Sequence, residues 1–506
     1  RFYSGSMPFA ELIGSKHNEH LIGTAFSVML FQHLITGFNV RALLFSDAVL
    51  QVLSVVLVFV IARRERLLEG KSLYVYAAAI TAALLSLAQY KNALWGFQTA
   101  WYLITFFFLL SIYLLSGAAD RTAPRGAIVR QTFLAAIPAV LASFTSFHGV
   151  LIWVAGAAYL LARREIRLRR AFTDAAFVCW LVMACATLAV FGSVYASKGL
   201  GGPGGHSVRA LLEAPLVPIG IFVGTYGSIV GSAGRTLVLA VALTLFALIG
   251  VLAWWCLRRA ADRRLYAAPL AMIVFSLLFS ALVAAGRAPS GIGAARDSHY
   301  TAYTTLAVTG LLLAFAHAAS DGETRRAVAR VGRNALLALI VIATVSSTYT
   351  GIVAGIQWRT EQGIAAVILR DYQSAEDFEL QRLLFGDAGL VRRNADFMRT
   401  HGLGLFGDTQ AVPPDIARVY SVMPAGMAKV AASFPDARPA LDRLWRVYRV
   451  GADLRSAFDP SSDNFAHDLI KWASGAAADG SHYLSPYLTE YSAQYSALRQ
   501  ALESNH

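Results

Sequence analysis

Apolar and polar positions along this chain are blocked rather than interleaved. Long runs of Leu, Ala, Val, Ile and Phe alternate with short connections rich in Arg. About 20 apolar residues cross a bilayer as a helix, which satisfies its own backbone N–H and C=O groups where lipid offers no partners. The pattern predicts spans over 41–62, 73–90, 99–116, 131–147, 149–162, 171–195, 235–257, 265–285, 300–318 and 335–356. The segment 208–231 is also apolar, but Pro215, Pro218 and its glycines predict a re-entrant or interfacial piece. Ahead of the first span, residues 21–36 predict a helix with Asn18 as N-cap and Glu19 in its first turn. That helix suits the membrane surface as well as a crossing. Residues 357–506 have an ordinary soluble composition, with helical patterning at 374–384, 388–400, 463–474 and 486–503.

The predicted fold class is therefore an all-α polytopic membrane protein with about 10–11 transmembrane helices. Three regions follow: a first extracytoplasmic loop with a juxtamembrane helix (1–40), a transmembrane bundle (41–356), and a mainly helical, extracytoplasmic C-terminal domain (357–506). Composition agrees. Of 506 residues, 56% are hydrophobic and 15% charged, against about a quarter charged in soluble chains. The mean hydropathy is +0.52.

Charge sets the orientation. One set of loops carries Arg63, Arg64, Arg66 and Lys71, then Arg121, Arg125 and Arg130, then Arg163, Arg164, Arg167, Arg169 and Arg170. It continues with Arg258, Arg259, Arg263 and Arg264, and with Arg325, Arg326, Arg330 and Arg333. The opposite loops hold only scattered basics, so the Arg-rich set is predicted to be cytoplasmic. The net charge of +13 is mostly this signal. A nucleic-acid surface would need a continuous basic face, and no nucleic-acid partner is expected. Both chain ends then fall outside the cytoplasm, so the parity implies a further span ahead of Arg1. The expected location is a bacterial inner membrane. Cys179, Cys185 and Cys256 all fall within spans and read as small packing residues.

Ionisable residues at membrane depth are costly and usually functional. Here they gather in the Arg-poor loops, whereas the cytoplasmic arginines read as solvated anchors, and Asp47 and Asp174 as solvated span edges. The first loop reads FAELIGSKHNEHLIG. Glu19 between two histidines could act as a general base on a sugar hydroxyl; the plainer alternative is a helix dipole partner. His17, Glu19 and His20 could also hold a divalent metal ion with open positions. The turn QYKNALWGFQTAWY offers Lys91, Asn92 and Gln98 for sugar or phosphate and Trp95 as a stacking surface; an interfacial aromatic belt is the alternative. In GRAPSGIGAARDSHYTAYTT, Arg287, Arg296, His299 and Tyr300 sit at headgroup level. Arginine can grip phosphate bidentately, and snorkelling is the alternative. GLGGPGGH at 199–206 lacks the Lys-Ser/Thr of a P-loop and reads as a lid or linker.

These three stretches, in this order, resemble bacterial multi-pass membrane proteins of the GT-C glycosyltransferase superfamily. The matching residues are His17, Asn18, Glu19 and His20; Asn92, Trp95, Gly96 and Gln98; and Tyr300 and Thr301. The resemblance covers roughly residues 5–408; Leu21 and His299 stand where such sequences carry Arg. It implies transfer of a sugar, with inversion, from a polyprenyl-phosphate donor to an envelope glycan or glycolipid acceptor outside the cytoplasm. It implies Glu19 as base with Glu11 second; the residues themselves offer Arg287, Arg296, Lys91 and His299 as donor-phosphate contacts, and Trp95, Gln98, Asn92, His20 and Tyr300 around the sugar. In such proteins an acid often follows the first span, which here would precede Arg1. A lipid-linked glycan flippase is the rival, for which inverted repeats are expected and none is seen. A non-catalytic subunit of an envelope assembly complex is the third reading.

Overall fold

Uninterrupted apolar sequence and helix geometry between them dictate the architecture. The structure is a computed structural model. It describes residues 11–407 except 13, 18–19, 38, 69–72, 120–121, 167, 198–213, 232–233, 259, 321–325 and 385–386, together with isolated positions between 428 and 446. The chain divides into two compact units, Arg1–Thr36 with Val40–Gly355, and Gly37–Asn39 with Ile356–His506.

The first unit opens with two two-residue strands, β1 (Lys16–His17) and β2 (His20–Leu21), paired antiparallel. Helices follow: α1 (Gly23–Thr36), α2 (Val40–Arg64), α3 (Leu73–Leu84), α4 (Tyr90–Leu94), α5 (Thr99–Ala118), α6 (Arg125–Ser143), α7 (Leu151–Arg163) and α8 (Ala175–Ser197). Then come α9 (Leu216–Gly227), α10 (Arg235–Arg258), α11 (Ala260–Leu265), α12 (Ala267–Arg287), α13 (Thr301–Ser320) and the long α14 (Arg326–Arg370), whose residues from Ile356 on belong to the second unit. Among the described residues, nine helices are long and apolar enough to cross a membrane. The predicted span 149–162 is shorter, but a 3₁₀ turn at Phe147–Val150 precedes α7. At about 2.0 Å per 3₁₀ residue and 1.5 Å per α residue, the pair reaches about 27 Å.

Polar contacts divide this unit into two ends. At one, Tyr159 Oη donates to Glu65 Oε1 at 2.6 Å and Arg163 pairs with Glu65 Oε2 at 3.2 Å. Arg164 Nε reaches Asp174 Oδ2 and its Nη1 donates to the Ala118 carbonyl, both at 2.8 Å. Arg163 Nη1 also donates to the Arg264 carbonyl at 3.1 Å. The C-termini of α2, α5 and α7 therefore meet the starts of α8 and α12, as the predicted alternation requires. The expectation of solvated anchors fails here. Arg164 and Glu65 are buried, because each already has a partner of opposite charge. Asp174 is likewise no loose edge; its Oδ1 accepts from Phe177 N and caps α8.

At the other end, α1 is tied at both ends. Thr24 N donates to the Phe144 carbonyl at 2.9 Å, and Gln32 Nε2 donates to Ala42 O at 2.7 Å and Ser46 Oγ at 2.6 Å. Its 14 residues span about 21 Å, too short to cross, and Phe31, Leu34 and Ile35 are left exposed. The helix starts at Gly23, not beside Asn18, because the preceding residues pair as strands. Asn18 and Glu19 themselves lie outside the described residues. Helix α9 does not cross either: 12 residues make about 18 Å. It packs on the 288–296 turns, where a Cβ at Gly224 would stand 2.7 Å from Ala295 Cβ. The loop at 199–206 lies outside the described residues.

The Ser298–Ser320 helix is the centre of the bundle, with 89% of its apolar window buried against 28% for Val40–Arg64. Its position follows from its side chains: Thr301, Thr304, Thr305 and Thr309 are buried, and Thr304, Thr305 and Thr309 donate to their own helix's carbonyls, so that they need no water.

In the second unit, α15 (Asp377–Leu384) and α16 (Ala388–Thr400) match the helical patterning at 374–384 and 388–400. Ile364, Ile368, Tyr372, Leu380 and Val391 form its core. Glu379 Oε2 accepts from Glu376 N at 3.0 Å, one half of a capping box. The helices predicted at 463–474 and 486–503 lie outside the described residues.

Candidate functional site

Three stretches distant in sequence meet at the Arg-poor end. The turn after α3 is helical, Leu87–Gln89 then α4, and places Lys91 and Asn92 against the segment preceding α13. Lys91 Nζ lies 3.1 Å from Asp297 Oδ1, and His299 Nδ1 lies 3.0 Å from the same oxygen. Asn92 is fully buried and donates from Nδ2 to the His299 carbonyl at 3.1 Å. Lys91 N donates to Ser298 Oγ at 3.4 Å. Burial would raise the Asp297 carboxyl, but His299 and Lys91 outweigh it and hold that acid well below the usual carboxylate range.

Trp101, near the start of α5, is the hub of an aromatic group. Its ring centroid lies 5.0 Å from His299, 5.3 Å from His148, 5.8 Å from Phe279, 5.9 Å from Tyr300 and 5.0 Å from Tyr303, the last stacked. His20, from the first loop, stands 5.1 Å from His148. Arg287, at the end of α12, is exposed and donates from Nε to Tyr300 Oη at 3.0 Å. His148 sits in the α6–α7 turn beside Gly149, where a Cβ would fall 1.8 Å from the Ala142 carbonyl. Only glycine lets the two helices approach that closely, and the approach drives His148 into the cluster.

Of the residues expected at a site, the structure thus gathers His20, Lys91, Asn92, Arg287, His299 and Tyr300. Trp95 is exposed at the C-cap of α4. Gln98 is buried ahead of α5, and its Oε1 has no partner among the described residues. Glu11 is half-buried, and its carbonyl accepts from Ser15 Oγ at 3.2 Å. Glu19 and the side chains of His17 and Arg296 lie outside the described residues, so the His17, Glu19 and His20 metal set does too. Among the described residues, no three His, Cys, Asp or Glu side chains are grouped to hold a metal.

Sequence reasoning missed three residues. His148 was legible as an ionisable residue between two spans at the Arg-poor end. Trp101 stood in the quoted 89–102 turn but was not separated from its aromatic neighbours. Asp47, expected at a solvated edge, is 1% exposed and neither carboxyl oxygen has a hydrogen-bond partner among the described residues. Thr99 lies beside it, but its hydroxyl donates to Gly96 O at 2.8 Å. The helix α5 N-terminus packs over Asp47 and closes off the water that the span-edge reading assumed.

Between α3, α13 and α14, one to two turns from these residues, is a small, mainly apolar cavity of ≈ 10 Å³, lined by Ala82, Ala83, Ser86, Thr305, Val308 and Ala343 among others. Arranged this way, the cluster offers fixed cations for an anion, ring faces for a sugar, and imidazoles for a proton. Comparison with family models, with curated proteins and with solved structures finds no match to this chain.

Proposed function

We propose that this chain is an integral membrane glycosyltransferase of the GT-C type, moving a sugar from a polyprenyl-phosphate donor to an envelope glycan or glycolipid. The observation that carries the reading is the meeting of Lys91, Trp101, His148, Arg287 and His299 at one end of a helical membrane bundle. A polyprenyl phosphate keeps its chain in lipid and its phosphate at headgroup depth, which is where this cluster lies if the helices span as their lengths suggest. Lys91 and Arg287 stabilise the negative charge that grows on the departing phosphate. Trp101 gives the sugar ring a flat face, and the isoprenoid chain stays in the lipid. Glu19, the covalent neighbour of His20, takes the proton from the acceptor hydroxyl, and the hydroxyl oxygen attacks the anomeric carbon as its bond to phosphate breaks. Positive-inside asymmetry of the loops supports a cluster on the non-cytoplasmic side.

The test is direct. Purified protein in nanodiscs, given a polyprenyl-phosphate-linked sugar and an envelope acceptor, should release polyprenyl phosphate. Arg287→Ala and Glu19→Gln should each lower release by about 10² or more without lowering the melting temperature. Full turnover in both variants would remove this mechanism.

A further inference from the structure

A single carboxylate oxygen at the site is held by two nitrogen groups, the Lys91 ammonium and the His299 imidazole. Asp297 Oδ1 receives Lys91 Nζ at 3.1 Å and His299 Nδ1 at 3.0 Å. The side chains of Lys91 and Asp297 are 32% and 34% exposed, so an outside anion can reach the pair, and ion pairs that wet contribute little to stability. Their neighbours carry positive charge in excess of this one acid. Arg287 uses Nε on Tyr300, and its terminal amino groups have no partner among the described residues. The N-terminus of α13 (Thr301–Ser320) follows directly, adding its positive dipole end. One carboxylate oxygen occupies the Lys91 ammonium and the His299 imidazole. A phosphate presents three oxygens and a larger charge, so it can take Lys91, His299 and Arg287 at once.

We propose that Asp297 is a resident counter-ion: its carboxylate occupies the anion seat between Lys91 and His299, and the phosphate of an isoprenoid-linked donor takes its place on binding. This rests on the glycosyltransferase reading of the same site. In the empty protein Asp297 keeps Lys91 and His299 in position; when the donor binds, the carboxylate swings out to water; when polyprenyl phosphate leaves, it returns and helps to expel product. Asp297 competes with the phosphate, and its removal strengthens phosphate binding. A carboxylate that merely braced the site would have the opposite effect.

The experiment measures binding of geranylgeranyl phosphate to the full chain in phosphatidylcholine nanodiscs, with inorganic phosphate as a second arm. Asp297→Asn should bind the lipid phosphate about tenfold tighter, the gain for a seat otherwise free about a tenth of the time. Asp297→Ser must behave alike, and either gain must vanish in a Lys91→Met background. Equal or weaker binding in both variants overturns the counter-ion role; if wild-type transfer persists, the glycosyltransferase reading survives that result. A gain confined to inorganic phosphate overturns the lipid-linked ligand. Absence of binding of both probes by wild type and variants overturns the anion seat and the transferase together.

Discussion

The rings of Trp101 and His148 meet at 5.3 Å, tilted by 36°, one from the start of α5 and one from the turn between α6 and α7. Neither neighbour in sequence explains the other. They meet because both turns lie at the same end of the bundle and because Gly149 lets α6 and α7 close together. Trp101→Ala should destabilise by about 3 kcal/mol, since five other rings lose a partner. Trp101→Phe should keep most of that stability but cut sugar transfer about tenfold or more, because stacking area is what is lost. Melting curves and turnover, measured on the same preparations, separate the two effects. Unchanged transfer in Trp101→Phe would discard the platform role.

The Glu65–Arg163 pair at the opposite end carries a purely structural prediction. Glu65 is almost fully enclosed and also accepts from Tyr159. Arg163→Ala should cost about 3 kcal/mol because it leaves a buried charge. Adding Glu65→Gln should recover a large part of the loss, as judged by thermal denaturation in one detergent. A double variant as unstable as the single one would show that packing, not charge, holds this end.

Helix α1 carries the pH prediction. Burial pulls His33 down to about 4 from an ordinary 6.5. The unfolded chain therefore binds the extra proton more readily between those values, and stability rises with pH across them. The contribution is complete above pH 6.5 and lost as pH falls towards 4. The melting temperature should drop by a few degrees over that window, and His33→Phe should flatten the slope. An identical slope in His33→Phe would place the pH sensitivity elsewhere.

Close packing between α9 and the 288–296 turns is open to the same kind of test. A Cβ at Gly224 meets Ala295 at 2.7 Å, whereas one at Gly126 meets nothing. Gly224→Val should cost about 2 kcal/mol by overpacking and also weaken phosphate binding, since the displaced turns run between Arg287 and Asp297. Gly126→Ala should be neutral or slightly stabilising. Thermal shift combined with geranylgeranyl phosphate titration reads both; intact binding in Gly224→Val would show that α9 does not support the site.

The alternating apolar blocks determined the crossings, because a span must close its own hydrogen bonds within about 20 residues wherever it sits. The dealing-out of arginine determined which helix ends belong together, and there Arg163 meets Glu65 and Arg164 meets Asp174. Those are local rules, so one strand of text suffices to read them. What surrounds a given side chain is not local. The charged contacts of Asp297, the enclosure of Asp47 and the ring partners of His148 depend on which helices pack side by side, and apolar helices in lipid choose neighbours by shape at small residues such as Gly149 and Gly224 rather than by any periodic signal. Only the tertiary structure decided those.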